Sequence, residues 1–243
     1  MRSALVLALC VTLSQPTEAA DQIKGVVELF TSQGCSSCPP ADAVIEDLAQ
    51  QNRLAVLSLP VDYWDRLGWK DTFGSPVHSA RQRAYASARG DRAVYTPQVV
   101  VNGIRHMNGA DRDEIEDNLQ RLQSSLSVAV GISRSNGSLR VAVGAAPAGA
   151  TAAGRAATVV LMQYFARREV AIGRGENAQR RVAYTNIVRD ISAVGEWTGD
   201  AQTFEIPAPA ADAADGAIVL LQTGTADAPG PIVGAAKLDF APE

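Results

Sequence analysis

The chain has 243 residues, which is enough for one large domain or two of ordinary size. Its composition, with 47% hydrophobic and 20% charged residues, is typical of a folded protein, and the formal net charge of −4 argues against nucleic acid or an anionic membrane surface as a partner. No stretch after the N-terminal segment approaches the roughly 20 apolar residues that span a bilayer, so we expect a soluble mature protein that is free of the membrane.

The N-terminal segment has the order of a secretory signal peptide. Arg2 provides a positive charge, residues 4–13 form an apolar core, and Thr17-Glu18-Ala19 has the small-x-small pattern of a cleavage site. The apolar core is too short for a transmembrane helix. We therefore predict a signal peptide over residues 1–20 and a periplasmic or secreted location.

Cleavage of this segment would remove Cys10 and leave Cys35 and Cys38 as the two cysteines of the mature chain. A bridge between them would add little stability, because the entropic contribution of a disulfide grows with the length of the loop that it closes. The pair therefore indicates chemistry rather than a structural crosslink.

The predicted elements of the first half follow the order strand, helix, strand, helix, β-hairpin, helix. Apolar residues at positions 41, 44, 45 and 48 indicate the helix after the cysteines, and Asn102-Gly103 indicates the hairpin turn. A parallel βαβ unit followed by a hairpin and a helix is the thioredoxin layout, which predicts a thioredoxin-like domain over residues 22–124. The predicted strands are 25–30, 54–61, 98–101 and 104–107, and the predicted helices are 39–50, 76–88 and 111–126.

The second half shows strand-like runs without a convincing helix. Two of them alternate around Asn136-Gly137, which predicts a second hairpin. We predict an all-β sandwich-like domain over residues 126–243, so the expected fold is an α/β thioredoxin-like domain followed by this sandwich. For the polar loop 173–181 we favour ordinary loop chemistry, with docking onto the first half or binding of a ligand as the alternatives. The predicted strands are 127–133, 139–144, 157–165, 181–194, 217–223 and 232–240.

Cys35 and Cys38 follow a buried strand and open a helix, where backbone N–H groups and the helix dipole favour a thiolate. We expect Cys35 to be the more exposed sulfur and the nucleophile, and Cys38 to resolve the mixed disulfide. Ser36 and Ser37 can offer hydrogen bonds to the Cys35 sulfur.

Two cysteines with this spacing can alternatively bind a metal ion. A structural zinc ion needs four ligands, and His78 and His106 are distant in sequence from the cysteines, so we predict no zinc and no cofactor. A monovalent copper ion needs two thiolates, so a periplasmic copper carrier stays open as an alternative, with His106 and Met107 as the nearest candidate ligands.

Thr96-Pro97 lies about sixty residues after the cysteines and leads into a hairpin strand. It resembles the cis-proline loop of thioredoxin-like proteins, which implies that Pro97 lies against the cysteines and that the Thr96 backbone binds an extended substrate. Read without the resemblance, Pro97 begins a strand in the trans form.

Glu28 lies in an otherwise apolar strand, seven residues before Cys35. A buried carboxyl group there would have a raised pKa and could relay a proton to Cys38. Thioredoxins often place an acidic residue similarly, although this chain has one extra residue before the cysteines. A solvated glutamate at the edge of the strand is the alternative.

The segment 62–71 follows the second strand and should lie at the same sheet edge as the cysteines. Its aromatic residues Tyr63, Trp64 and Trp69 would form an apolar rim for a peptide or small ligand. A packed cap over the end of the sheet is an equally good interpretation.

Six segments resemble the domain-of-unknown-function 1223 family of secreted bacterial proteins, and the resemblance spans nearly the whole mature chain. It implies a thioredoxin-like domain with a β-rich extension, for a family without a settled biochemical activity. The segments are 27–42 (VELFTSQGCSSCPPAD), 61–73 (VDYWDRLGWKDTF), 80–85 (ARQRAY), 95–103 (YTPQVVVNG), 175–189 (GENAQRRVAYTNIVR) and 195–199 (GEWTG).

The function that we predict from these features is that of an exported thiol–disulfide oxidoreductase. Its substrate would be a protein or a small thiol or disulfide, with a redox partner protein as a further expected partner. A binding module, either the copper carrier or a non-catalytic thioredoxin scaffold, is the alternative. The predicted catalytic residues are Cys35, Cys38, Pro97 and Glu28, and the predicted substrate-binding residues are Thr96, Tyr63, Trp64 and Trp69.

Overall fold

A computed structural model describes residues 22–148, 156–210 and 212–240. The predicted signal peptide and Cys10 lie outside these residues. The helices of the described part are α1 (Pro39–Leu48), α2 (Pro76–Arg89) and α3 (Arg112–Leu122), with short 3-10 helices at Asp65–Leu67 and Gln123–Ser125. The strands are β1 (Gly25–Thr31), β2 (Leu54–Pro60), β3 (Gln98–Val101), β4 (Arg105–Asn108), β5 (Val130–Ser135), β6 (Ser138–Val143), β7 (Ala157–Ala171), β8 (Arg181–Trp197), β9 (Gln202–Pro207), β10 (Gly216–Gly224) and β11 (Pro229–Asp239).

Eight strands form one mixed sheet in the order β11-β10-β7-β8-β2-β1-β3-β4. β1 and β2 are parallel, as expected for two strands joined by a crossover helix, and β3 and β4 form the predicted hairpin. Its turn residues Asn102 and Gly103 have φ angles of 50° and 67°, the left-handed geometry that a two-residue hairpin turn requires.

β1 is buried along its whole length, and its side chains alternate between the two faces of the sheet. Val27 and Leu29 pack with Ile45 of α1 in one core cluster. Phe30 points to the other face and packs edge-on against Tyr85 of α2. The sheet therefore has α1 on one face and α2 on the other, which decides which side chains can approach the cysteines.

The predicted fold class, an α/β thioredoxin-like domain followed by a separate sandwich, is wrong. β8 pairs in parallel with β2 at Ser58 and Ile187, so strands from both halves of the chain belong to one sheet. A second sheet, with the order β5-β6-β9, covers part of the larger one through Val141, Trp197 and Leu221. The described residues are predominantly β, and the larger sheet continues across the expected domain boundary.

Side-chain hydrogen bonds support the irregular junction between β2 and β8. The Ser58 hydroxyl donates to the carbonyl oxygen of Thr185 at 2.8 Å, and the Asn186 amide donates to that of Val56 at 2.9 Å. Asn186 has a φ of 48°, which breaks the regular strand at this point. The core beside the junction combines residues from both halves, including Leu57 and Met162.

The sequence patterns placed most elements within a few residues of their observed positions. They missed β9 (Gln202–Pro207) and underestimated β7 and β8, which have 15 and 17 residues. The loop between these two strands, residues 172–180, contacts the turn that contains Cys35. It includes most of the polar loop discussed above.

Candidate dithiol site

Cys35 and Cys38 form a disulfide with their Cα atoms 5.4 Å apart. The turn that contains them leaves β1, and Cys38 is the N-cap residue of α1, with prolines in the first helical turn. The carbonyl oxygen of Cys38 accepts hydrogen bonds from the backbone N–H groups of Ala41 and Asp42. The pair therefore has the predicted position, at the end of a buried strand and the start of a helix.

Both cysteines are 0% exposed, so the prediction that Cys35 is the more exposed sulfur is wrong. Ser36 and Ser37 between them are exposed. The Ser37 hydroxyl lies 3.4 Å from the Cys35 sulfur and is the donor, because a disulfide sulfur carries no proton. One of the two serines thus makes the predicted contact.

The loop between β7 and β8 holds the disulfide turn in place, and we call its residues 172–180 the strap. The buried Asn177 amide donates to the carbonyl oxygens of Gln33 and Cys35, at 3.0 and 2.7 Å. Glu176 accepts a hydrogen bond from the Ser36 backbone N–H at 3.2 Å. The loop therefore docks onto the first half, which was an alternative to the favoured interpretation of ordinary loop chemistry.

Gln33 connects the disulfide turn to the segment 62–73. Its side-chain carbonyl accepts from the indole N–H of Trp69 at 2.9 Å, and its amide donates to the Thr72 hydroxyl at 2.8 Å. Its backbone N–H donates to the Asp71 carboxylate at 2.8 Å, and Asp71 in turn accepts from the backbone N–H of Phe73. The acidic residue Asp71 therefore anchors the loop.

The predicted substrate-binding residues are brought only partly together. The Trp64 indole donates to the Thr96 hydroxyl at 2.9 Å, and a Cβ added to Gly34 would lie 3.1 Å from the Trp64 Cβ. Trp64 thus lies against the disulfide turn, and Thr96 is held beside Trp64. Trp69 packs under the strap, since a Cβ at Gly173 would lie 3.1 Å from its ring.

Tyr63 and Pro97 take different places. The Tyr63 hydroxyl donates to Gln82 of α2 at 3.2 Å. Pro97 is buried and its peptide bond with Thr96 is cis. A Cβ added to Gly109 would contact both Pro97 and Ala41 of α1, which places the proline beside the helix that begins at Cys38.

Glu28 is fully buried, so the solvated alternative is wrong. Its carboxylate accepts from the Arg81 guanidinium at 2.6 and 3.1 Å and from the Tyr85 hydroxyl at 2.6 Å. Arg81 also donates to Gln222 of β10 at 2.9 Å. Because Glu28 faces α2, the sheet separates it from α1 and from the predicted proton-relay position beside Cys38.

A second buried carboxyl group, Asp42 of α1, was missed by the sequence reasoning. It is 4% exposed, and its Oδ1 accepts from the Thr31 hydroxyl at 2.8 Å. Burial raises the pKa of Asp42 to about 8, against the lowering effect of the Thr31 hydrogen bond. The available signal was the spacing, because a residue four positions after Cys38 lies on the same helical face.

Gln33 and Asn177 were also missed as residues that hold the disulfide turn. Gln33 lies between the predicted strand and the cysteines, where the sequence indicates only a turn. Asn177 lies 142 positions from the carbonyl group that it binds, and a single sequence contains no signal for a contact at that distance.

The candidate metal ligands are engaged elsewhere. The His78 ring contacts the Pro60 carbonyl oxygen at 2.8 Å, and burial lowers its pKa to about 4. His106 contacts the Tyr95 hydroxyl at 3.1 Å, and the buried Met107 sulfur accepts from Asn118 at 3.8 Å. Within the described residues there is no group of three or more potential metal ligands. None of the described helices is both long and apolar enough to cross a membrane.

Comparison with known proteins identifies a family. Among solved structures, the chain is similar to protein AGR_C_4864 from Agrobacterium tumefaciens, with a TM-score of 0.79, 36% identity, and coverage of 89% of this chain and 94% of that chain. It is also similar to HBP35 of Porphyromonas gingivalis, with a TM-score of 0.52, 10% identity, and coverage of 92% and 77%, which is a likeness of fold alone. No curated protein matches. Because the family model described as "Protein of unknown function (DUF1223)" matches residues 26–222, the chain belongs to the DUF1223 family.

Proposed function

We propose that this protein is an exported thiol–disulfide oxidoreductase that works through Cys35 and Cys38. The observation that carries the proposal is the disulfide between these residues at the start of α1. They are the two cysteines that follow Cys10, and export would place them in an oxidising compartment where a disulfide persists.

The start of the helix supports the chemistry. Reduction begins when a thiolate of a partner attacks the Cys35 sulfur, which forms a mixed disulfide and releases Cys38 as a thiolate. A second thiol of the partner then attacks the mixed disulfide, so the partner becomes oxidised and both cysteines become thiols. The dipole of α1, at whose N-terminus the cysteines lie, favours the negative charge that develops on sulfur.

The surroundings of the disulfide support a peptide-like substrate on the side of Trp64 and Thr96. Trp64 packs against the turn at Gly34 and binds Thr96, and Pro97 lies beside α1. The strap binds the same turn through Asn177. Since neither sulfur is exposed, the proposal requires the strap or the turn to move before a partner thiolate reaches Cys35.

The test is thiol exchange by the purified chain without residues 1–20. We expect equilibration with a reduced and oxidised glutathione buffer and a Cys35 pKa below the ordinary thiol value of about 8.5. Cys35→Ala should abolish exchange, and Cys38→Ala should accumulate a mixed disulfide between Cys35 and glutathione. Arg83→Ala, an exposed change on α2, is the control.

Two results would contradict the proposal. One is a Cys35 thiol of ordinary pKa without exchange against glutathione under conditions that open the disulfide. The other is tight binding of Cu(I) by the reduced chain that suppresses exchange, which would favour the copper carrier.

A further inference from the structure

We propose that Asp42 exchanges a proton with Cys38 each time the disulfide opens or closes. The inference rests on the proposed function, because it assigns a role within the same exchange reaction. It replaces the relay expected of Glu28, whose carboxylate faces α2 and is taken up by Arg81 and Tyr85.

The first support is the position of Asp42 on α1. Cys38 has helical backbone angles (φ −78°, ψ −35°), and its carbonyl oxygen accepts the Asp42 N–H hydrogen bond at 3.1 Å. The two side chains are therefore one helical turn apart on the same face, where Cβ atoms lie about 5–6 Å from one another. Both residues are buried, Cys38 at 0% and Asp42 at 4% exposure.

The second support is that one oxygen of the Asp42 carboxyl group lacks a hydrogen-bond partner among the described residues. Asp42 Oδ1 accepts from Thr31, whereas Oδ2 is buried and has no hydrogen-bond partner among the described residues. An ionised carboxylate in this position would leave a charged oxygen without a donor, which is costly in a buried site. A protonated Oδ2 instead carries a hydrogen that is available for transfer.

The surroundings favour the protonated form near neutral pH. Desolvation by burial raises the pKa of Asp42 to about 8, and the nearby Asp71 carboxyl group acts in the same direction. Tyr184 of β8 faces the same two carboxyl groups, and they raise its pKa further in addition to burial. The pKa of Asp42 is then close to that of an ordinary thiol. A proton can therefore pass between Asp42 and Cys38 with little change in free energy in either direction.

A pocket of about 420 Å³ on this side of α1 gives Asp42 access to proton exchange with solvent. Glu46 of α1, Arg180 at the end of the strap and Arg181 at the start of β8 line it together with Asp42. These charged groups lie around the same pocket as Asp42, in addition to Asp71 and Tyr184.

When a partner thiolate bonds to Cys35, the Cys35–Cys38 bond breaks and its electron pair stays on Cys38, which takes the proton of Asp42. In the reverse direction the Asp42 carboxylate removes the proton of the Cys38 thiol. The resulting thiolate attacks Cys35 and releases the partner as a thiolate.

The test compares Asp42→Asn with Asp47→Asn, which makes the same chemical change at a 68% exposed carboxylate of α1. Disulfide opening by dithiothreitol is followed across pH and corrected for the thiolate fraction of the reductant. For the wild type and Asp47→Asn, we expect the corrected rate to fall above about pH 8, as Asp42 loses its proton. For Asp42→Asn we expect a rate about 100-fold lower at pH 7 and no such break.

Thr31→Val provides a second variant in case Asp42→Asn does not fold. Loss of the Thr31 hydrogen bond removes the contact that lowers the Asp42 pKa, so the break should move to higher pH. The infrared difference spectrum between the reduced and oxidised protein should also show the band of a protonated carboxyl group, absent in Asp42→Asn.

An unchanged pH profile in Asp42→Asn, or in Thr31→Val when Asp42→Asn is unfolded, would overturn the inference. These readouts use dithiothreitol and the internal disulfide alone. They therefore stay informative if exchange with glutathione fails and the proposed function is rejected.

Discussion

At the scale of single residues, two buried carboxyl groups of the first half have opposite surroundings. Glu28 receives hydrogen bonds from Arg81 and Tyr85, whereas Asp42 receives one, from Thr31. A buried ion pair is stable only while both partners are present, because the remaining charge would otherwise be unpaired. Glu28 therefore has a structural role, and Asp42 is the carboxyl group whose proton is available.

Glu28→Gln should lower the free energy of unfolding by about 3–5 kcal/mol, since it leaves the Arg81 guanidinium buried beside a neutral amide. Chemical denaturation measures this loss. The pH dependence of disulfide opening should stay that of the wild type, because Glu28 and Cys38 lie on opposite faces of the sheet.

The control is the double variant Glu28→Gln with Arg81→Met, which removes both charges and should recover part of the lost stability. If Glu28→Gln kept its stability and changed the pH profile, the carboxylate would be the proton relay expected from the sequence.

At the scale of elements, the strap is the segment of the second half that holds the turn containing the cysteines. It joins β7 to β8, and Asn177 makes two hydrogen bonds to the turn that contains Cys35. A loop of the second half thus binds the cysteine turn of the first half, although it lies more than 130 residues later in the sequence. Under the proposed function, this loop would control access to Cys35.

Asn177→Ala should speed the opening of the disulfide by dithiothreitol. It removes two hydrogen bonds of about 1 kcal/mol each, which corresponds to an increase of roughly tenfold or more in the open population. The rate of reduction at fixed pH is the measurement.

Arg174→Ala is the matched control, because Arg174 is exposed on the same strap. It should leave the rate unchanged. Equal rates for both variants would mean that the strap does not limit access to Cys35.

At the scale of the whole molecule, one sheet and one core join the two halves. β2 pairs with β8, and the core beside this junction contains Phe30 and Leu57 of the first half with Met162 and Leu220 of the second. Separating the halves would expose this apolar surface together with an unpaired edge of β2.

The fragment of residues 22–125 should therefore not fold as a monomer. Size-exclusion chromatography and denaturant unfolding of the fragment, beside residues 21–243, make the measurement. A monomeric fragment with cooperative unfolding would show that the predicted boundary near residue 125 does separate an independent domain.

The elements were predictable because their signals are local. The apolar spacing of α1 and the Asn102-Gly103 turn each act over a few residues, and both appear where the sequence indicates them. The sheet order was not predictable in the same way, because the pairing of Ser58 with Ile187 depends on packing between segments far apart in the chain. Periodicity identifies a strand without identifying its neighbour.

The features of the site also separate into those with local sequence signals and those that depend on long-range contacts. The spacing of Cys35 and Cys38 and their place before α1 can both be read from the sequence. The burial of Cys35, the hydrogen bonds from the strap to its turn, and the different surroundings of Glu28 and Asp42 cannot. They depend on which face of a sheet or helix meets a distant segment, and only the tertiary structure decides that.

The cysteine pair is therefore readable from the sequence alone, because two cysteines at one helix start need no distant partner to be recognised. Tertiary contacts set how deeply that pair is buried and the surroundings of the two carboxyl groups, Glu28 and Asp42. The physical reason is that access and pKa are set by burial and by neighbouring charges, and both come from contacts between remote parts of the chain.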